Sequence, residues 1–195
     1  MAYLGARSKR ELRLILTDRE IKIALDRKQV IIAPLPGPEA FSSTALDLTL
    51  DPIARLFKNS VHGGIAIDPG ALEYNFREAT ELLTDQVNLE PTFALRPHKL
   101  LLAWTKESLN LPTISRLAAR IEGKSSMARI GIGVHITAPT IHAGFSGQLQ
   151  LEIINHGPTD IVLRPGMKIC QLIFETTLGT PDKGYSGQFL QQQSG

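Results

Sequence analysis

The alternation of apolar and polar residues predicts a protein built mainly from short β-strands. In Ser43–Leu50, leucine occupies every second position from Leu46 to Leu50, with Asp47 and Thr49 between, which predicts a half-buried strand. Further strands are predicted at Val30–Ile32, Thr92–Leu95, Leu100–Lys106, Leu117–Ile121, Gly131–Thr137, Gln148–Ile154, Ile161–Leu163 and Lys168–Glu175. Gly, Pro or Asn interrupts most of the gaps, as is typical of a barrel or sandwich.

Two segments have a helical pattern instead. Thr17–Arg27 begins with the capping box Thr17-Asp-Arg-Glu20, and its apolar residues then recur at helical spacing. Ala71–Thr84 mixes acidic and apolar residues and predicts a second helix. The expected organisation is an N-terminal extension at 1–13, one β domain at 14–179 and a flexible C-terminal arm, or lid, at 180–195.

Composition narrows the function classes. The 195 residues are 43% hydrophobic, enough for one sizeable core, and the net charge is only +2. This balance argues against a nucleic-acid partner, and no run approaches the ~20 apolar residues that span a membrane. The single cysteine, Cys170, excludes a disulfide framework and a zinc site built on paired cysteines. A cytoplasmic protein is expected.

The segment Lys124–Arg129 joins two adjacent hydroxyls, Ser125 and Ser126, to the cations Lys124 and Arg129. A turn entering a short helix would add backbone N–H groups, and this combination suits a phosphate. Serine-rich turns that cap short helices are also common on surfaces that bind nothing. Both interpretations stay open on these six residues alone.

The strand Gln148–Ile154 carries its apolar residues on one face and its polar residues, among them Gln150 and Glu152, on the other. If the polar face meets solvent, Glu152 is an ordinary exposed carboxylate. If it lines a pocket, the strand would hold Glu152 as rigidly as a general base requires. Gly144 and Gly147, just before the strand, would let the backbone approach a ligand closely.

Other candidate residues favour structural roles. His135 and His142 lack the spacing of a metal pair and are expected to be hydrogen-bonded structural residues. Cys170 is expected in the core. Arg164–Gly166 predicts a hairpin turn before the last strand. Asp47 is either a cross-strand partner or a site residue.

Longer motifs follow one another in order over residues 14–175. They are ILTDREIKIALDRKQVIIAPL, SSTALDL, KESLNLPTISRLAARIEGKSSMAR, VHITAPTIHAGFSGQLQLEI and LRPGMKICQLIF. In this order they resemble the dCTP deaminase family of the dUTPase/dCTP deaminase superfamily. The resemblance implies a mainly β, distorted β-barrel or jelly-roll-like dUTPase-type fold with a short N-terminal helix.

That family converts dCTP and water to dUTP and ammonia without zinc. The dUTP feeds dUMP and dTTP synthesis. The single cysteine agrees, because zinc deaminases need a His/Cys/Cys or Cys₃ ligand set. By the resemblance, Glu152 is the general base and acid, and Ser125 and Arg129 position the water and Glu152. The catalytic residues expected are therefore Glu152, Ser125 and Arg129.

The resemblance also implies how substrate is held. Mg²⁺ would be bound through the triphosphate oxygens rather than by protein side chains. The arm would close over the triphosphate, the protein would form a homotrimer with sites between subunits, and dTTP is a possible feedback inhibitor acting near His135. The implied substrate-binding residues are Lys124, Ser125, Ser126, Met127, Ala128, Arg129, Ala138, His142, Gln150, Leu151, Glu152, Gln171, Lys183, Tyr185 and Gln188.

Two departures from the family pattern bear on the alternative functions. His142 stands where the family usually has Asp, which counts against a dUTP pyrophosphatase or a bifunctional enzyme. Gly184 is inserted between Lys183 and Tyr185 in the arm motif. The alternatives are a pyrophosphatase that acts on dUTP, alone or after deamination to give dUMP, and a non-catalytic nucleotide-binding member.

Overall fold

The computed structural model describes residues 14–59, 66–138, 140–187 and 189–194, so the predicted extension 1–13 lies outside the described residues. The helices are α1 (Asp18–Asp26), α2 (Phe76–Leu83) and α3 (Ser125–Ala128). The strands are β1 (Ile31–Ala33), β2 (Phe41–Ser42), β3 (Ala45–Phe57), β4 (Thr84–Asn88), β5 (Phe93–Leu95), β6 (Leu100–Asn110), β7 (Leu117–Gly123), β8 (Ile132–Gly133), β9 (Ser146–Asn155), β10 (Ile161–Leu163) and β11 (Lys168–Thr176).

One large antiparallel sheet dominates the fold. Its strands follow the order β7-β11-β3-β6-β9-β8, with β1 added to β6 and with β2 and β4 added to β3. A small second sheet pairs β10 with β5. The prediction of a mainly β, barrel-like protein with a short N-terminal helix is confirmed.

Apolar residues at alternate strand positions fill the interior of the barrel. Leu46, Leu48 and Leu50 on β3 are almost fully buried, as are Leu151 and Ile153 on β9. The alternation that predicted these strands therefore identifies the core face correctly. This packing fixes the direction of the intervening polar side chains, which lie on the opposite face.

The central strand β3 differs from its prediction. It continues to Phe57, past Pro52, and Asp47 on its polar face is only 8% exposed. Paired strands flank both edges of β3, and the side chains of Lys124 and Lys168 cover Asp47. A strand that was expected to be half-buried is thus a central one.

Several boundaries and contacts also differ from prediction. The strand expected at Gly131–Thr137 is reduced to β8, and the helix expected at Ala71–Thr84 begins only after Asn75, whose side chain accepts the first backbone N–H groups. Thr17 is the N-cap of α1, but its hydroxyl bonds the Glu20 carboxylate rather than a backbone N–H. The turn at Arg164–Gly166 joins strands of different sheets, so it is not a hairpin.

Candidate active site

A cluster of charged and amide side chains crosses three strands of the barrel. Asp47 Oδ1 lies 2.5 Å from Lys124 Nζ and accepts from Gln171 Nε2 at 3.3 Å, and Asp47 Oδ2 lies 3.2 Å from Lys168 Nζ. Strand register places these groups together, because Gln171 on β11 is paired with both Asp47 on β3 and Glu122 on β7. We call Asp47, Lys124, Lys168 and Gln171 the lysine–aspartate cluster.

Asp47 is ionised in this cluster. Burial alone would raise the pKa of Asp47, but hydrogen bonds from Lys124 and Lys168 outweigh it and hold the pKa below its ordinary value. One carboxylate therefore faces two ammonium groups. This donor set suits phosphate oxygens rather than a metal ion.

The Ser125–Ala128 segment forms the single turn of α3, with Lys124 as its N-cap. Met127 is half-buried, whereas Ser125, Ser126, Ala128 and Arg129 are exposed. The backbone N–H groups of Met127 and Ala128 already bond Lys124 O, at 2.9 and 3.0 Å. The turn therefore offers a ligand its two hydroxyls, its guanidinium and the backbone N–H groups of Ser125 and Ser126, none of which bonds another described residue.

Glu152 is held on β9 in a half-buried position, with 27% of its side chain exposed. Its Oε2 accepts from the backbone N–H of Ile136 at 3.3 Å, and His135 Nδ1 lies 3.5 Å from the same oxygen. His135 Nδ1 is buried and has no hydrogen-bond partner among the described residues, so the expected structural hydrogen bond of His135 is not formed at that atom. The other carboxylate oxygen, Oε1, bonds no described residue.

Glu152 shares its face of the sheet with a cavity of about 540 Å³. Glu152 is paired with Leu102, which is itself paired with Arg55, and Gln150 is paired with Trp104. Arg55, Trp104 and Gln150 line the cavity, which α2 and the end of the arm close. Leu151 points the other way, into the core, and is 0% exposed. Only its backbone is available to a ligand.

The arm lies against the turn that precedes β9. Tyr185 donates its N–H to Ala143 O at 2.9 Å and stacks its ring on His142, with centroids 6.2 Å apart. His142, Lys183 and Tyr185 line a second cavity of about 580 Å³. Gln188 lies outside the described residues, and Ala138 is exposed in the segment after β8.

The two glycines of that turn are required by the close approach of the arm. Gly144 has φ +93°, and a Cβ there would lie 2.6 Å from Tyr185 N. Gly147 has φ +146°, and a Cβ there would lie 2.9 Å from Gln192 N. A Cβ on the inserted Gly184 would also clash, in this case with a side chain, because it would lie 2.7 Å from Thr113 Oγ1. At these glycines the backbone is therefore approached closely by another segment of the same chain.

The predicted catalytic and substrate-binding residues lie in separate groups rather than in a single cluster. Lys124 and Gln171 meet in the lysine–aspartate cluster, while His142, Lys183 and Tyr185 meet at the arm. Among the described residues, no hydrogen bond or ion pair joins Ser125 or Arg129 to Glu152. α3 is nevertheless tied to the Glu152 strand, because α3 packs on β8 and β8 pairs with β9.

Sequence reasoning did not identify three residues of these groups. Arg55 and Trp104 belong to no motif, and Lys168 stands in the motif LRPGMKICQLIF without a predicted role, so only strand register brings them to the cluster or the cavity. Cys170, expected in the core, is fully buried, and burial raises the pKa of its thiol. In the described part of the chain, no group of three or more His, Cys, Asp or Glu residues could hold a metal ion.

No helix of the described residues is both long and apolar enough to cross a membrane.

Comparison with known proteins gives a consistent result. A family model described as dCTP deaminase-like matches residues 15–177. The dCTP deaminase of Marinomonas sp. (strain MWYL1) is 34% identical over 174 residues, covering 88% of each chain. The "dCTP deaminase, dUMP-forming" of Methanosphaera stadtmanae is 35% identical over 172 residues, covering 88% of this chain and 83% of that one.

A solved structure shows the same fold. The crystal structure of 2'-deoxycytidine 5'-triphosphate deaminase from Agrobacterium tumefaciens has a TM-score of 0.64 and 23% sequence identity. It covers 84% of this chain and 48% of the solved one, so this chain spans about half the length of that protein. The likeness confirms the barrel fold that the sequence resemblance implied.

Proposed function

The chain belongs to the dCTP deaminase-like family, and we propose that it hydrolyses dCTP to dUTP and ammonia in nucleotide metabolism. The observation that carries the proposal is Glu152, a carboxylate fixed on a rigid strand by one backbone N–H, with its second oxygen unengaged by any described residue. A general base needs this combination of fixed position and available oxygen.

In the proposed reaction, Glu152 takes a proton from a water molecule as the water oxygen bonds C4 of the cytosine ring. Glu152 delivers this proton to N3, which receives the electron pair of the C4=N3 bond. Glu152 then takes the proton of the new hydroxyl and passes it to the 4-amino nitrogen, the C4–N bond breaks, ammonia leaves and the C4 carbonyl of uracil forms. Glu152 ends in its starting protonation state, so the reaction balances with no other acid or base.

The residues around Glu152 supply position and charge in this proposal. Ser125 and Arg129 hold the water and the Glu152 carboxylate, and Ser126 joins them at the phosphates. The cationic character of the lysine–aspartate cluster supports Lys124 and Gln171 as phosphate contacts. Mg²⁺ would arrive bound to phosphate oxygens and would neutralise part of their charge.

The base and sugar are assigned to the β9 face of the barrel. Gln150 and the backbone of Leu151 would flank them beside Glu152, and the backbone of Ala138 would meet the cytosine edge. Met127 and Ala128 complete the α3 turn beside the phosphates. Lys183, Tyr185 and Gln188, with His142 beneath them, would cover the triphosphate from the arm.

A homotrimer is the proposed assembly, with each site shared between subunits. Two observations support it. Ser125 and Arg129 bond no Glu152 atom within the described chain, and Ile130 and Ile136, which precede and follow β8, are 58% and 57% exposed. We also propose a cytoplasmic location, the division into an extension, a β domain at 14–179 and a flexible arm, and inhibition by dTTP near His135.

One assay tests the reaction. The purified protein is incubated with dCTP and Mg²⁺, and dUTP, dUMP, pyrophosphate and ammonia are separated. Ammonia with dUTP and no pyrophosphate is expected. Pyrophosphate with dUMP would support the second candidate, a dUMP-forming enzyme, which the Methanosphaera relative favours. If neither product formed, the chain would be a non-catalytic nucleotide-binding protein.

A further inference from the structure

Lys168 is a cation of the lysine–aspartate cluster and is not among the catalytic or substrate-binding residues proposed above. It begins β11, and its Nζ lies 3.2 Å from Asp47 Oδ2 and 2.5 Å from the backbone oxygen of Glu39. Two acceptors from different parts of the chain therefore fix its ammonium group. Its side chain is 38% exposed, so the charge is only partly screened by water.

The two oxygens of Asp47 are divided between the two lysines. Oδ1 engages Lys124 and Gln171, whereas Oδ2 engages Lys168. If Lys124 alone faced Asp47, the pair would be neutral and the carboxylate would repel an incoming phosphate. With Lys168 present, the three charged groups sum to one positive charge. The carboxylate of Glu107 bonds Thr49 through both its oxygens and pairs with neither lysine of the cluster.

We propose that Lys168 is a positioning residue of the phosphate site. It pairs with Asp47, so that the ammonium group of Lys124 can leave Asp47 and bind a triphosphate. The proposal rests on the function proposed above for its physiological ligand. When a phosphate draws Lys124 away, Lys168 and Gln171 remain as partners of Asp47. The exchange then leaves no buried carboxylate without a partner, which would otherwise oppose binding.

A purely structural role for Lys168 predicts a different result. In that case the Lys168 ion pair would stabilise β11 against β3 and would not affect ligand affinity. Lys168→Met keeps most of the aliphatic chain and removes the charge. It would then lower the melting temperature only, whereas our proposal places its effect on the binding of polyphosphate.

The test measures binding of inorganic triphosphate and of dCTP to the full chain by calorimetry at low ionic strength. For Lys168→Met we expect the Kd of both ligands to rise about fivefold, which corresponds to about 1 kcal/mol of binding free energy. The Kd of dCMP should change less than twofold. The rise should shrink at high ionic strength, because salt screens a charge effect.

Two matched variants serve as controls. Lys168→Arg keeps the charge and should bind inorganic triphosphate within twofold of the unchanged protein. Lys22→Met removes another lysine that pairs with one carboxylate, Asp18 at 2.9 Å, but on α1. It should also bind within twofold. An equal loss in Lys22→Met would show a general charge effect and overturn the proposal.

The remaining outcomes are equally decisive. Inorganic triphosphate binding within twofold of normal in Lys168→Met, with or without a lower melting temperature, overturns the inference. So does failure of the unchanged protein to bind inorganic triphosphate. If triphosphate binding falls as expected but dCTP yields no ammonia, the inference stands and the proposed deamination fails.

Discussion

Asp47 and Glu152 are two strand-borne carboxylates of the same barrel with different surroundings. Each lies between core residues, Asp47 between Leu46 and Leu48, and Glu152 between Leu151 and Ile153. Asp47 faces three side-chain donors. Glu152 accepts one backbone N–H, with His135 just beyond good hydrogen-bond distance.

The difference shows how partners decide what a carboxylate can do. Asp47 has both oxygens engaged by cations, so it acts as a counter-ion and cannot accept a proton from substrate at neutral pH. Glu152 is fixed at one oxygen and has another available. Strand alternation places both residues equally well, but only the neighbouring strands and loops separate their roles.

The strongest test of the comparison removes the available oxygen. Glu152→Gln should lower turnover of dCTP by roughly 10²–10⁴-fold, the usual contribution of a positioned general base, while nucleotide still binds. Release of ammonia and calorimetric binding of dCTP measure the two effects.

The matched control is Glu175→Gln, another strand-borne carboxylate, which pairs with Arg120 at 2.9 Å and is remote from β9. It should leave turnover within about twofold, as is usual for a change away from the reacting groups. Near-normal turnover in Glu152→Gln would remove Glu152 from its assigned role.

The opposite change breaks the counter-ion. Asp47→Asn keeps the shape of the side chain but leaves Lys124 and Lys168 without their shared negative charge. We expect the free energy of unfolding to fall by about 1.5–3 kcal/mol, the usual range for a hydrogen bond to a charged group. Urea denaturation measures the change.

Asp18→Asn provides the comparison for Asp47→Asn, since Asp18 also pairs with a lysine but on the exposed surface of α1. Its loss should be clearly smaller, because solvent screens an exposed pair. Equal losses at the two positions would contradict the role assigned to the cluster.

Acid should abolish the stability difference between the unchanged protein and Asp47→Asn. The pKa of Asp47 is lowered in the folded state, so its contribution is complete above the ordinary pKa of an aspartate and is lost as pH falls through the lowered value. Urea denaturation over a pH series should therefore show the two curves converging at acid pH. A difference that persists unchanged at the most acid pH would mean that the charge of Asp47 is not what stabilises the fold.

The smallest expected effect tests whether the arm contributes to the difference between the carboxylates. Gly144→Ala introduces strain of about 1 kcal/mol at a positive φ and a Cβ only 2.6 Å from Tyr185 N, so the arm should be displaced. Trypsin should then cleave after Lys183 several times faster, whereas the Asp47-dependent stability should not change.

The control for Gly144→Ala is Gly166→Ala. Gly166 also has a positive φ, +77°, but nothing lies within 4 Å of its Cβ position. Comparable strain without the clash should leave the rate of cleavage after Lys183 unchanged. If both variants release the arm equally, the contact with Tyr185 is not what holds it.

Local patterns sufficed to predict most of the barrel. The leucines at every second position of β3 and the alternation of β9 report directly which face is buried. β4 was missed because Thr84–Asn88 is a polar edge strand that buries little besides Thr84. The strand predicted at Gly131–Thr137 was longer than β8, because an apolar run before a glycine-rich loop gives the same pattern as a strand.

The candidate site was less accessible to prediction, because it depends on register. Lys168 is paired with Thr49, and a register shift between Lys168 and Cys170 then pairs Gln171 with Asp47. An irregularity of one residue in an antiparallel pair leaves no signature in residue type or spacing. Motif order therefore pointed to Glu152 and Lys124, whereas the role of Lys168, although it stands in a motif, became visible only from the paired strands.

The crossing of Gly144 and Gly184 has a consequence for protein engineering. At this point the two backbones are so close that a Cβ on Gly144 would lie 3.0 Å from Gly184 Cα. The turn and the arm can therefore be replaced only together. An arm transplanted from a relative would have to bring its own turn with it, and a chimera that exchanges only one of the two should be defective even when both parents are fully functional.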